Sequence, residues 1–158
     1  MGMMERKRKI SEHSGIRGYV TVHATHDDGR VYQIPQANLV MTAGFTRIAA
    51  LIAETSTGFP DYIAIGTGTT AAAITQTALV TEVDRNQVAS KTDSAGVATF
   101  KAFFGKDEAN GNTISELGLF DLPSGGTMFC RSVLSSTVAK TNTISLTITW
   151  TLTFSDGS

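Results

Sequence analysis

The chain has little cysteine, little proline, little charge and no long apolar run, and each scarcity narrows what it can be. Cys130 is the one cysteine among 158 residues. That excludes an intrachain disulfide and a cysteine-based zinc site, so stability has to come from packing and strand pairing. No apolar run approaches the ~20 residues of a helical membrane span. The basic N-terminus leads into Ser11-Glu12-His13-Ser14 and not into an apolar signal core, which predicts a protein made in a cytoplasm, with no membrane partner. Charged residues are 17% of the chain and the formal net charge is −1, so nucleic acid is a disfavoured partner. The basic character is local: Arg6, Lys7, Arg8 and Lys9 against Glu5 give +3 over the first nine residues and leave −4 for the rest. Such a run predicts an arm that lies on a partner or in solvent.

What the chain does have is β-branched and aromatic residues in short blocks separated by turn residues. Residues 1–18 are polar and basic with Gly15 and Gly18, and read as an extended arm; 19–158 is long enough for one domain with a real core. Tyr19–Thr25 and Val31–Ile34 form a hairpin around Asp27-Asp28-Gly29-Arg30. Between Thr42 and Glu54 the period changes: Phe45, Ile48, Ala49 and Ile52 fall at helical spacing, with Thr42 as the N-cap. Further strands are expected at Tyr62–Ile65, Glu82–Ser90, Val97–Phe104, Ile114–Phe120 and Met128–Leu134, with a turn over Lys91–Gly96 and a bulge or close approach at Gly118. The last strand is the clearest. Ile144, Leu146, Ile148, Trp150, Leu152 and Phe154 alternate with Ser and Thr, so one face is core and the other hydroxylated. The predicted fold is mainly β, an antiparallel, jelly-roll-like β-sandwich with one short helix and an extended N-terminal arm.

Candidate chemistry is thin. Gly66-Thr67-Gly68-Thr69-Thr70 follows a strand as a phosphate loop would, but lacks the Gly-Lys-Ser/Thr ending and any nearby lysine, so a turn held by local hydroxyl bonds is favoured. His23, His26, Asp27 and Asp28 carry metal-ligand chemistry, yet strand positions three apart point to opposite faces, and no metal is expected. No Gly-x-Ser-x-Gly elbow accompanies the many serines, Cys130 reads as a buried thiol, and Asp107 with Glu108 as turn residues. Glu116 lies in an apolar strand, where alternation turns it to solvent unless it makes a specific polar contact. No catalytic residue, cofactor or enzymatic activity is expected. The hydroxyl faces remain: Thr147, Thr149 and Thr151, with Thr67, Thr69 and Thr70, suit packing against a neighbouring subunit.

Six segments, in order, resemble small structural proteins of tailed bacteriophages. They are Asn38-Leu39-Val40 with Ala43-Gly44; Ile63 to Thr70; Thr77-Ala78-Leu79 with Glu82-Val83 and Arg85; Ile114 to Phe120; Gly126-Thr127-Met128 with Arg131; and Thr147 to Phe154. The resemblance implies a non-enzymatic virion component, often a homo-oligomer, and carries no catalytic residue with it. Within that group the expectation is a capsid decoration or cement protein. It would bind the major capsid protein, plausibly as a trimer, with Arg6, Lys7, Arg8 and Lys9 on a neighbouring subunit. The alternative is a tail-fibre, collar or baseplate attachment module; a remote third is an anion- or carbohydrate-binding enzyme using the Gly66–Thr70 turn.

Overall fold

A computed structural model describes residues 15–155. The basic run at Arg6, Lys7, Arg8 and Lys9 lies outside the described residues. Nine strands and one helix follow in the order β1 (Gly15–His26), β2 (Val31–Val40), α1 (Thr42–Ile52), β3 (Tyr62–Gly66), β4 (Glu82–Gln87), β5 (Ser90–Ser94), β6 (Val97–Phe104), β7 (Thr113–Phe120), β8 (Met128–Ala139) and β9 (Ile144–Ser155). Residues 15–18, grouped with the arm on composition, open β1 and pair with the end of β9.

All nine strands belong to one antiparallel sheet in the order β4-β3-β7-β8-β2-β1-β9-β6-β5. Two separate layers were expected; hydrogen bonding instead runs unbroken through a single curled sheet, a half-barrel. The curl brings its ends close. Asn86 on β4 donates through Nδ2 to the Phe103 carbonyl of β6, and the Val88 and Ala89 amides, between β4 and β5, reach the Asp61 and Lys101 carbonyls. The β5 edge is exposed along its whole length and carries Lys91 and Asp93, charges of the kind that discourage pairing with other chains. Its residues Lys91–Ser94 fall within the expected Lys91–Gly96 turn but form strand; the turn itself is Ala95-Gly96, where Gly96 takes φ +78°.

Alternation decides most of the core. Val20, Val22 and Ala24 of β1, Phe100, Ala102 and Phe104 of β6, and Leu146, Ile148 and Trp150 of β9 all point into the curl and are buried. Each such large side chain contributes ~1.5–3 kcal/mol by leaving water. A second cluster, Met41, Ala64, Leu79, Phe120 and Met128, lies apart from this core. α1 contributes to the cover over β8. It packs so closely that a Cβ on Gly44 would lie 2.7 Å from the Phe129 Cα and nearer still to its carbonyl oxygen. The helix N-cap is Met41 and not Thr42, without a side-chain cap bond; the Thr46 hydroxyl donates to the Thr42 carbonyl inside the first turn. β7 has both faces covered, so every residue from Ile114 to Phe120 is buried.

Candidate functional site

The polar centre of the molecule is an ion pair with no exposure at all. Glu116 of β7 and Arg131 of β8 sit on neighbouring strands, and Arg131 Nη2 donates to Glu116 Oε2 at 2.7 Å with both side chains at 0% exposure. Arg131 Nε donates to the same oxygen at 3.0 Å. The carboxylate also collects three backbone amides from the connection between β3 and β4. Gly68 and Thr81 N–H donate to Oε1 at 3.0 and 2.7 Å, and Val80 N–H donates to Oε2 at 3.1 Å. Burial alone would raise the Glu116 pKa; the Thr81 amide, Arg131 and the Val80 and Gly68 amides outweigh it and hold the carboxyl below its ordinary value.

Arg131 spends its remaining donors on the same connection. Its Nη1 reaches Gln76 Oε1 at 3.1 Å and its Nη2 the Thr70 carbonyl at 3.0 Å. The Ser115 hydroxyl adds a bond to the Gly68 carbonyl at 3.0 Å. The pair therefore clasps residues 67–81 onto the sheet at both ends and in the middle. Gly66 and Gly68 permit the approach. A Cβ would lie 2.7 Å from Glu116 Oε1 at Gly66, and 2.5 Å from the same atom at Gly68. The glycines of the Gly-Thr-Gly turn thus meet a carboxylate that belongs to the protein.

Of the two readings of Glu116, the favoured one, solvent by alternation, does not hold; it makes specific polar contacts and is completely buried because the 67–81 connection covers that face of β7. The available signal was its position among Ile114, Leu117, Leu119 and Phe120, where a charge needs a partner if both faces are covered. Arg131 was seen only as part of the resemblance. Five of the six resembling segments contribute to this clasp or to its immediate surroundings. Arg85, from the third, stacks 3.7 Å over the Phe120 ring and donates to the Leu122 and Gly125 carbonyls.

The other candidates fall elsewhere. Among the described residues, no three His, Cys, Asp or Glu side chains gather in a way that could hold a metal. His26 stacks edge-on against Tyr32 with ring centroids 5.2 Å apart, Asp28 pairs with Arg30 at 2.7 Å and Asp27 with Lys106. Cys130 is buried, and burial pushes its thiol up to about 12. Glu108 is a turn residue whose carboxylate accepts from the Gly105 amide and from Asn86 Nδ2. Lys140, 1% exposed, donates to the Lys106 and Thr141 carbonyls and to Asn110 Oδ1.

The two threonine groups form separate patches. Thr147, Thr149 and Thr151 lie half-exposed on the outer face of β9, with His23, Thr21 and Tyr19 of β1 on one side and Phe103, Lys101 and Thr99 of β6 on the other. Thr69 and Thr70 are exposed on the clasped connection, and Thr67 is partly so, its amide bonded to the Thr81 carbonyl. β3 and β9 are five strand positions apart in the sheet, roughly 24 Å along its surface. A search of protein-family models, curated proteins and solved structures finds nothing that matches the chain.

Proposed function

We propose that this chain is a structural protein of a tailed-bacteriophage particle, working by packing against other subunits and not by catalysis. The observation that carries the reading is the outer face of β9 and its neighbours. Rows such as Tyr19-Thr151-Thr99 and Thr21-Thr149-Lys101 cross three strands with hydroxyls, methyls and aromatic carbon, and the charges are Lys101 and, one row on beside Thr153, Arg17. Exposed Tyr19 and Phe103 stand on either side of the threonine ladder. Such a face loses little hydration when covered, and hydroxyls can bond across the contact. The resemblance supplies the particle.

In this reading the curled-sheet body assembles as a homo-oligomer, a trimer in the simplest case, and decorates the shell by contacting the major capsid protein. A protein that binds only the assembled shell stabilises it by mass action. It would be made in the host cytoplasm and end in the virion. Quantifying the chain against the major capsid protein in purified particles tests this. Copies scaling with the capsid lattice are expected; a few copies at the tail or neck would assign it to a collar, fibre or baseplate. Thr149→Arg places a second cation beside Lys101 and is expected to dissociate the oligomer without unfolding it. An unchanged oligomer would remove this face from the contact.

A further inference from the structure

Among the described residues, half of β2 has an open edge in the middle of the sheet. On one side β2 pairs with β1 from Val31 to Asn38, but its ladder with β8 holds only at Leu39 with Arg131 and Val40 with Cys130. Past the ladder, side chains bridge the widening gap. The Ser132 hydroxyl donates to the Ala37 carbonyl at 3.2 Å, and the Ser135 amide donates to Gln36 Oε1 at 3.0 Å. Because the Ala37 carbonyl faces β8, and backbone groups of a strand face the same edge at every second residue, the Gln33 N–H and C=O and the Pro35 C=O face the gap too. Pro35 has no N–H to offer there, so a ladder with β8 could not run on past it.

The gap is a cleft of about 470 Å³. Ala24, Ile34, Val138 and Ile144, all buried, supply its apolar floor, while Gln33 and Pro35 on one wall and Ser135 to Thr137 on the other supply polar edges. His26, Tyr32 and Ala139 complete the lining, and among the described residues no Asp, Glu, Lys or Arg takes part in it.

We propose that this cleft is a docking site for an extended, uncharged segment of a partner protein, which adds as a strand to the open edge of β2 and seats an apolar side chain on the floor. The free backbone groups select a backbone. A purely apolar ligand would displace water from Gln33 and Pro35 and leave their polar groups unpaired, whereas an extended peptide satisfies them and delivers alternate side chains to the floor. The charge-free lining selects the sequence. A Lys, Arg, Asp or Glu entering the cleft would lose hydration with no opposite charge to meet it. The run Arg6, Lys7, Arg8 and Lys9 is therefore a poor occupant. The inference stands on the β2–β8 geometry and holds whatever particle the chain belongs to.

The test uses the full chain, labelled for amide NMR, and a blocked peptide, acetyl-Thr-Val-Thr-Val-Thr-Val-Thr-amide, as the probe. Saturable binding is expected, with the Gln33 amide exchanging at least about tenfold more slowly in its presence. The same peptide N-methylated at alternate amides, or with Lys in place of Val, is expected not to bind. Gln33→Pro removes the cleft-facing N–H while sparing the β1 side, and should abolish binding at unchanged melting temperature. Thr137→Glu, an exposed position on β8, should do the same by adding charge, and serves if the proline variant does not fold. Equal binding of the N-methylated peptide, no protection at Gln33, or self-association through the cleft that excludes the peptide would each overturn the proposal.

Discussion

Removing the charge of Glu116 while keeping its shape is the sharpest perturbation the molecule offers. In Glu116→Gln one carboxylate oxygen becomes an NH2 group. If it replaces Oε1 it faces the Gly68 and Thr81 amides; if it replaces Oε2 it faces the Val80 amide and Arg131. Either way donors oppose donors, and Arg131, without exposure, keeps a charge with nothing to balance it. Breaking one side of a buried pair costs about 3–5 kcal/mol. At ~2–4 °C per kcal/mol for a chain of this size, the melting temperature should fall by about 6–20 °C. Glu116→Gln combined with Arg131→Met removes the stranded charge and should recover part of that loss, with a coupling of about 1–3 kcal/mol. The pH dependence has a definite sign. The folded Glu116 carboxyl lies below its ordinary value, so its contribution is complete above the unfolded pKa of about 4.3 and is lost as pH falls through the folded one. Thermal melts between pH 7 and pH 3, with limited proteolysis of 67–81 alongside, measure all of this. A Glu116→Gln protein melting within about 2 °C of the parent, or losing stability in acid as steeply as the parent, would refute the assignment of the clasp.

Two further outcomes follow from close packing. Gly44→Ala would stabilise an exposed helix by up to ~1 kcal/mol, but here the added methyl meets the Phe129 backbone, so a net loss of about 1–3 kcal/mol is expected in denaturant titration; a stabilised variant would contradict the contact between α1 and β8. Cys130, buried with its thiol raised to about 12, should be inert to a thiol-specific reagent at pH 8 until denaturant is added, and prompt reaction of the native protein would contradict its burial.

Strands with one face in the core and one outside were legible because period-two alternation is a local signal. β6 and β9 lie where their residues place them, and the helix at Thr42–Ile52 is where the period changes. β8 runs on to Ala139, past the expected Leu134, because Ser135, Ser136 and Thr137 are exposed and add no alternation. β2 continues through Pro35 to Val40, since a proline without a strand on that edge breaks no ladder. β7 shows the limit most clearly. Its burial on both faces depends on a connection distant in sequence, and no window around Glu116 contains Gly68, Thr81 and Arg131 together. At the Gly66–Thr70 turn, the Gly68 amide donates to the Glu116 carboxylate, which lies 48 residues on in the chain. What occupies the place of the anion was invisible until the strands were paired.

That substitution bears on why the chain carries a buried pair at all. Desolvating two charges costs several kcal/mol each, and such a pair contributes little net stability over apolar residues of the same size. What it does contribute is position. Residues 67–81 form no strand or helix, and their exposed face carries Thr69, Thr70, Ile74 and Val80. Apolar packing alone is non-directional; the clasp instead fixes Gly68, Thr70, Gln76, Val80 and Thr81 by hydrogen bonds to two side chains that can sit in only one place. A variant with Met at both positions, matched for volume, should therefore keep much of its stability yet lose amide protection across 67–81. Protection surviving there would mean that the connection's shape is set by its apolar contacts at Leu79 and that the ion pair is incidental to it.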